Sequence, residues 1–200
     1  MRILTGKLRG RNITAPPGRN TRPTRGRTRE SIFNILGHAD WVLPLEGAIV
    51  ADIFAGSGAL GFEAVSRGAE FCLFVETDPK ARAAIRDNME KMNLFGCTRL
   101  HRRDAIKLRI DPYNLRGPFT HIFVDPPYSK NLWHPVIARL KSRNLIADKG
   151  TIILEVAKDE ETDVDSYKVM DERIWGAAKV LFLQINGRNY CPPRKLPPGL

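Results

Sequence analysis

The stretch Asp52-Ile53-Phe54-Ala55-Gly56-Ser57-Gly58-Ala59-Leu60-Gly61 decides the fold. It closes an apolar run that begins at Ala48 and opens a segment of helical spacing, so a glycine-rich turn joins a strand to a helix. Glycine there lets the backbone approach a ligand closely. Downstream, residues 71–76, 121–125 and 151–156 repeat the short apolar run. Between them Ala81, Ala84, Ile85, Met89 and Met92, and then Trp133, Val136, Ile137 and Leu140, recur at the period of a helix with one packed face. A weaker strand is predicted at 98–101. An acidic loop, Asp159 to Asp163, leads to strands at 167–174 and 178–184 separated by Trp175-Gly176-Ala177, short enough for a hairpin. The pattern is α/β: a doubly wound, mainly parallel sheet completed by an antiparallel pair.

Glu76 follows Gly56 by twenty residues and ends the second strand, where a carboxylate can accept hydrogen bonds from both hydroxyls of a ribose. Turn and carboxylate together specify an adenosine-containing cofactor, which leaves nicotinamide and flavin dinucleotides and S-adenosylmethionine open. Asp52 shifts the balance to the last. An acid two positions before the end of the first strand suits a methionine amino group, whereas a dinucleotide presents no cation there. Asp104, after the third strand, can accept from an adenine amino group; equally, it can cap the short segment 105–108.

Asp125-Pro126-Pro127-Tyr128 stands at the end of the fourth strand, where doubly wound sheets bind ligands. The exocyclic amino group of a nucleobase is a poor nucleophile because its lone pair is delocalised into the ring. The Asp125 carboxylate and the Pro126 carbonyl can each accept one N–H and free that lone pair, while Tyr128 stacks on the base. Such chemistry needs neither metal nor covalent nucleophile. His38, His101, His121 and His134 form no ligand-spaced cluster and read as surface or loop residues, and Cys72, Cys97 and Cys191 form no CxxC.

The net charge of +10 on 200 residues is concentrated at the start. Residues 1–30 hold nine basic side chains and one acid, Glu30, so the other 170 are nearly neutral. Eight of the nine are arginines, whose planar fork pairs phosphate and stacks on bases. Arg2, Lys7, Arg9, Arg11, Arg22, Arg25 and Arg27 are the candidate RNA contacts. The runs 2–7 and 11–15 read as a β-hairpin about Leu8-Arg9-Gly10. Arg22-Pro23-Thr24 reads as an extended link, and a helix is expected from Thr28 to a stop at Gly37. The organisation expected is a basic extension over 1–40, a catalytic domain over 41–186 and a flexible proline-rich tail over 187–200. On charge alone, truncation near Glu30 leaves cofactor binding intact. No apolar stretch spans a membrane and no signal peptide opens the chain, so a cytoplasmic protein is expected.

The basic opening, Arg22-Pro23-Thr24, Arg29-Glu30-Ser31-Ile32-Phe33-Asn34, the turn from Asp52 to Gly61 and Val124-Asp125-Pro126-Pro127-Tyr128 together resemble the bacterial family that methylates N2 of one guanine in 16S ribosomal RNA. The resemblance runs from Met1 to about Gln184. It implies a seven-stranded class I methyltransferase fold with S-adenosylmethionine as donor and S-adenosylhomocysteine as product. It also implies cofactor contacts from Asp52, Phe54, Gly56, Ser57, Gly58, Glu76 and Asp104, and a monomer acting on the assembling 30S subunit. Three other readings stay in view: a DNA adenine-N6 methyltransferase, which shares the tetrapeptide; a nicotinamide-dependent oxidoreductase, which shares the glycine turn but leaves Asp125 to Tyr128 unexplained; and a non-catalytic RNA-binding assembly factor.

Overall fold

Apart from Asp52, the runs Ile49–Ile53 and Phe71–Val75 are apolar at consecutive rather than alternate positions, as strands covered on both faces require, and every residue in both is buried. They form β1 and β2 of a sheet continued by β3 (Thr98–His101), β4 (Phe119–Val124), β5 (Ile146–Ala157), β6 (Tyr167–Trp175) and β7 (Ala178–Ile185). The computed structural model describes residues 1–16, 23–127 and 131–185, with the backbone alone for residues 23–25 and 113. Strand order is β3-β2-β1-β4-β5-β7-β6, parallel from β3 to β5 and antiparallel at β7 and β6. This is the sheet expected from the apolar runs. β5 starts earlier than its apolar run, because Ile146 pairs with Phe119 across a register shift before the main ladder begins at Thr151.

Helices α1 (Pro23–His38), α2 (Ala59–Ser66), α3 (Pro79–Lys91) and α4 (Trp133–Ser142) are joined by two short 3-10 turns, Ala105–Lys107 and Pro112–Leu115. Asp78 caps α3 by accepting from the Ala81 N–H at 2.7 Å, and Pro79 occupies a first-turn position whose missing N–H costs nothing. Gly61 sets how closely α2 approaches the sheet: a Cβ there would lie 2.3 Å from the Phe74 ring and 2.6 Å from Cys72 Sγ.

Two expectations for the N-terminal region change. α1 begins at Pro23, not Thr28, since a proline at the first helical position costs no hydrogen bond, and it runs one residue past Gly37. The runs 2–7 and 11–15 form no regular strands; they pair antiparallel over a short stretch, where Arg2 bridges Asn12, the Ile3 N–H donates to the Arg11 carbonyl at 3.0 Å and the Ile13 N–H to the Met1 carbonyl at 2.7 Å. Other N–H groups of the segment turn to the helices. Leu4 and Thr5 donate to the Glu63 carboxylate at 2.8 and 3.1 Å, Leu8 to Ser66 Oγ at 2.9 Å, and Thr14 to Asn88 Oδ1 at 2.8 Å. Buried side chains of α2 and α3 thus accept N–H groups that this short pairing does not use, and fasten the segment to the domain. Ile3 and Ile13 sit in the same apolar cluster as Phe33, Phe62 and Phe123.

His121 departs from its surface reading. It lies fully buried on β4, with Nδ1 3.0 Å from Thr120 Oγ1. Burial lowers its pKa to about 4, opposed in part by the Leu43 backbone. Because the folded-state value lies below the ordinary 6.5, the unfolded chain binds the proton more readily between those limits. The contribution to stability is therefore whole above pH 6.5 and is lost as pH falls toward 4, by about 3 kcal/mol. Urea denaturation of wild type and His121→Gln at pH 7, 5.5 and 4.5 checks this: the wild type should lose more stability over that range, and parallel losses would count against it. His101, also read as a surface residue, is half-buried at the end of β3.

Candidate active site

The sheet order reverses at β1, with β2 on one side and β4 on the other, so their carboxyl ends bound a crevice. A cleft of about 730 Å³ opens there. Phe54 leaves β1 with φ of 62°, a left-handed conformation uncommon outside glycine; Gly56 and Gly58 follow with φ of 57° and 76°. Three positive angles in five residues fold the chain back so that the Gly56 N–H reaches Glu76.

Glu76 holds the turn together. Its Oε2 accepts from the Gly56 N–H and its Oε1 from the Asp78 N–H, each at 2.8 Å, which ties the end of β1 to the start of α3. Each carboxylate oxygen retains a second acceptor site, so this bracing is compatible with ribose recognition. Asp52 is buried on β1 and accepts from the Gly61 N–H at 2.9 Å. Burial pushes its pKa well above the ordinary range; the nearby Asp125 and Glu76 charges add to this and the Gly61 hydrogen bond opposes it. A cation brought into the cleft would oppose that shift.

Asp125 follows β4 directly, and its N–H lies 3.4 Å from the Ile53 carbonyl, fastening the end of β4 to the end of β1. Pro126 and Pro127 line the cleft beside it, as do Phe54, Gly56, Ser57 and Asp104. Gly58 lies under the turn, where a Cβ would approach the Phe62 ring to 2.7 Å. Asp104 also accepts from the Ile106 N–H at 3.0 Å, so it caps the 3-10 turn while facing the cleft. Tyr128 lies outside the described residues.

Sequence reasoning missed part of the wall: Met1, Arg29 and Ile32 line the cleft, as do Leu132 and Glu155. Arg29, only 5% exposed, donates to the Arg2 carbonyl at 2.6 Å and fixes the chain start against α1. A signal existed for Glu155, a lone charge near the carboxyl end of an apolar strand. Of the candidate RNA contacts, Arg2, Lys7, Arg9, Arg11 and Arg27 are exposed. Arg22 and the Arg25 side chain fall outside the described residues. Among the described residues no group of three His, Cys, Asp or Glu side chains can hold a metal ion, and no helix is long and apolar enough to cross a membrane.

Comparison with known proteins adds to this geometry. The family described as Conserved hypothetical protein 95 matches residues 1–184. YlbH of Bacillus subtilis strain 168 is 34% identical over 161 residues, covering 80% of this chain and 85% of its own. Ribosomal RNA small subunit methyltransferase D of Escherichia coli K12 is 33% identical over 159 residues, covering 78% of this chain and 74% of its own. Among solved structures, the yhhF protein of Escherichia coli superposes with a TM-score of 0.79 at 28% identity, over 94% of this chain and 99% of that one.

Proposed function

This chain belongs to the family described as Conserved hypothetical protein 95, and on that premise we propose that it transfers a methyl group from S-adenosylmethionine to the exocyclic N2 of a guanine in small-subunit ribosomal RNA. The observation that carries the choice of donor is the charge of the cleft. Among its described lining residues are six carboxylates, Asp52, Glu76, Asp78, Asp104, Asp125 and Glu155, and one guanidinium, Arg29. A dinucleotide would bring a pyrophosphate into that field. A sulfonium with an α-ammonium group is its electrostatic complement, and the braced Glu76 stands where a ribose would be recognised.

The donor supplies an electrophilic methyl group. The chain supplies orientation and charge. Asp125 and the Pro126 carbonyl accept the two N–H bonds of the amino group and oppose the positive charge that grows on its nitrogen, and the Asp125 carboxylate can then hold the proton released from that nitrogen. Tyr128, outside the described residues, is assigned by its place in the tetrapeptide to stack on the base. Small-subunit rRNA is favoured over DNA because the relative named for acting on it matches three-quarters of this chain, and the family model matches from residue 1, through the basic N-terminal region. The reading extends to an assembling 30S particle as substrate, a monomeric enzyme and a cytoplasmic setting.

The test combines two measurements. Calorimetry should show binding of S-adenosylmethionine and none of NAD. Transfer of labelled methyl to small subunits from cells lacking the enzyme, followed by nucleoside mass spectrometry, should yield N2-methylguanosine. An N6-methyladenosine product would support the adenine reading instead, and binding of rRNA without transfer would support the assembly factor.

A further inference from the structure

The near-neutral balance of residues 31–200 conceals a local concentration of positive charge. Arg82 and Arg86, one turn apart on α3, meet Arg102 and Arg103 beyond β3 around a recess of about 340 Å³ that His101 also lines. Arg86, Arg102 and Arg103 are exposed, and among the described residues none of the four guanidinium groups forms an ion pair with a carboxylate. Elsewhere on α3 the usual helical pairing does occur, between Lys91 and Asp87 at 2.6 Å. Four converging cations without counter-charges repel one another and weaken the fold unless an anion joins them. His101 Nε2, buried and without a hydrogen-bond partner among the described residues, is a second sign of a missing ligand. The recess also adjoins the cleft. Arg82 donates to the Thr77 carbonyl, Arg103 precedes Asp104, and both Thr77 and Asp104 line the cleft.

We infer that these four arginines form a second binding surface for the RNA phosphodiester backbone, beside the cleft and separate from the N-terminal basic residues. The exposed fork of Arg86 and the half-buried Arg82 on α3, with two exposed forks on the segment after β3, grip phosphate from two directions, which fixes the path of a strand whose base enters the cleft. The inference rests on the proposed RNA substrate.

The test is the triple variant Arg86→Ala/Arg102→Ala/Arg103→Ala, with binding to a full-length small-subunit rRNA transcript measured by filter retention across a salt series. The expected result is a Kd raised about 10- to 100-fold near 0.1 M salt and a log–log salt slope shallower by about 1.5 to 2.5, as for two or three lost phosphate contacts. Affinity for S-adenosylmethionine should not change. The matching Arg→Lys triple variant should recover most of the slope, which a merely structural role would not produce. Wild-type Kd and slope in the alanine variant overturn the surface whatever the transfer assay shows. If instead wild-type protein transfers no methyl group while the slope still depends on these arginines, the reaction falls and the surface stands. Absence of salt-dependent rRNA binding by wild-type protein overturns both.

Discussion

Asp125→Ala is expected to lower methyl transfer by about 10²- to 10³-fold while leaving S-adenosylmethionine affinity nearly unchanged. The separation of the two effects comes from how Asp125 is held. Its backbone N–H points to the Ile53 carbonyl at the end of β1, so the strand end keeps its place when the side chain goes. What is lost is the carboxylate that aligns the amino nitrogen and balances its developing charge. Asp125→Asn separates these roles, since the amide keeps one acceptor oxygen but not the charge; it should fall between wild type and alanine. The substitution should also lower the raised pKa of Asp52, because the Asp125 charge is one of its causes. Labelled transfer under saturating donor, with calorimetry of each variant, measures both effects. Wild-type turnover in Asp125→Ala would remove the residue from the reaction.

The parts of this site that could be read in the sequence are those made by short-range pattern. Asp52, Glu76 and Asp125 each stand at or near the end of an apolar run, and once such runs are taken as parallel strands their carboxyl ends must share one edge of the sheet. The Gly56 and Gly58 turn carries its own local signature. The cleft wall formed by Met1, Arg29 and Ile32 has none, because it depends on the chain start reaching α2, some sixty residues away in sequence. Glu63 shows why. Within Phe62-Glu63-Ala64-Val65 it looks like a solvated helix position, yet it is wholly buried and accepts two backbone N–H groups from another segment. For the same reason local β-propensity marks the two N-terminal runs that pair briefly with each other but not the buried Glu63, Ser66 and Asn88 that fasten them to the helices. His121 and the four arginines around the recess illustrate the complementary limit. The strand period marks position 121 as interior, but residue type alone had assigned the histidine to the surface, and a summed charge had hidden the arginine cluster.

The N-terminal segment gives the second large expected effect, on folding. Glu63 accepts from the N–H groups of Leu4 and Thr5 and from Arg67 Nε at 2.9 Å, with Arg29 Nε 4.0 Å away. Glu63→Ala strips the half-buried Arg67 guanidinium and two part-buried amides of their acceptor and leaves the buried Arg29 without its nearby counter-charge, a loss of about 3–5 kcal/mol. Deleting residues 1–16 does more. It leaves the Glu63 carboxylate and the Asn88 amide without these chain-start partners, and it uncovers the cluster that holds Ile3 and Ile13, each worth about 1.5–3 kcal/mol of burial. Set against the 5–15 kcal/mol that typically holds a domain together, the deletion should leave little or no folded protein at 37 °C. The basic N-terminal charge is thus mounted on a segment whose backbone is part of the catalytic domain's interior. Thermal melts of the deletion and of Glu63→Ala, beside the surface charge variant Arg9→Ala/Arg11→Ala, distinguish the two roles. The surface variant should melt like wild type and lose RNA affinity, whereas the deletion should lose donor binding together with its cooperative transition. A deletion that melts cooperatively near the wild-type temperature and binds S-adenosylmethionine would show that the segment is dispensable to the fold.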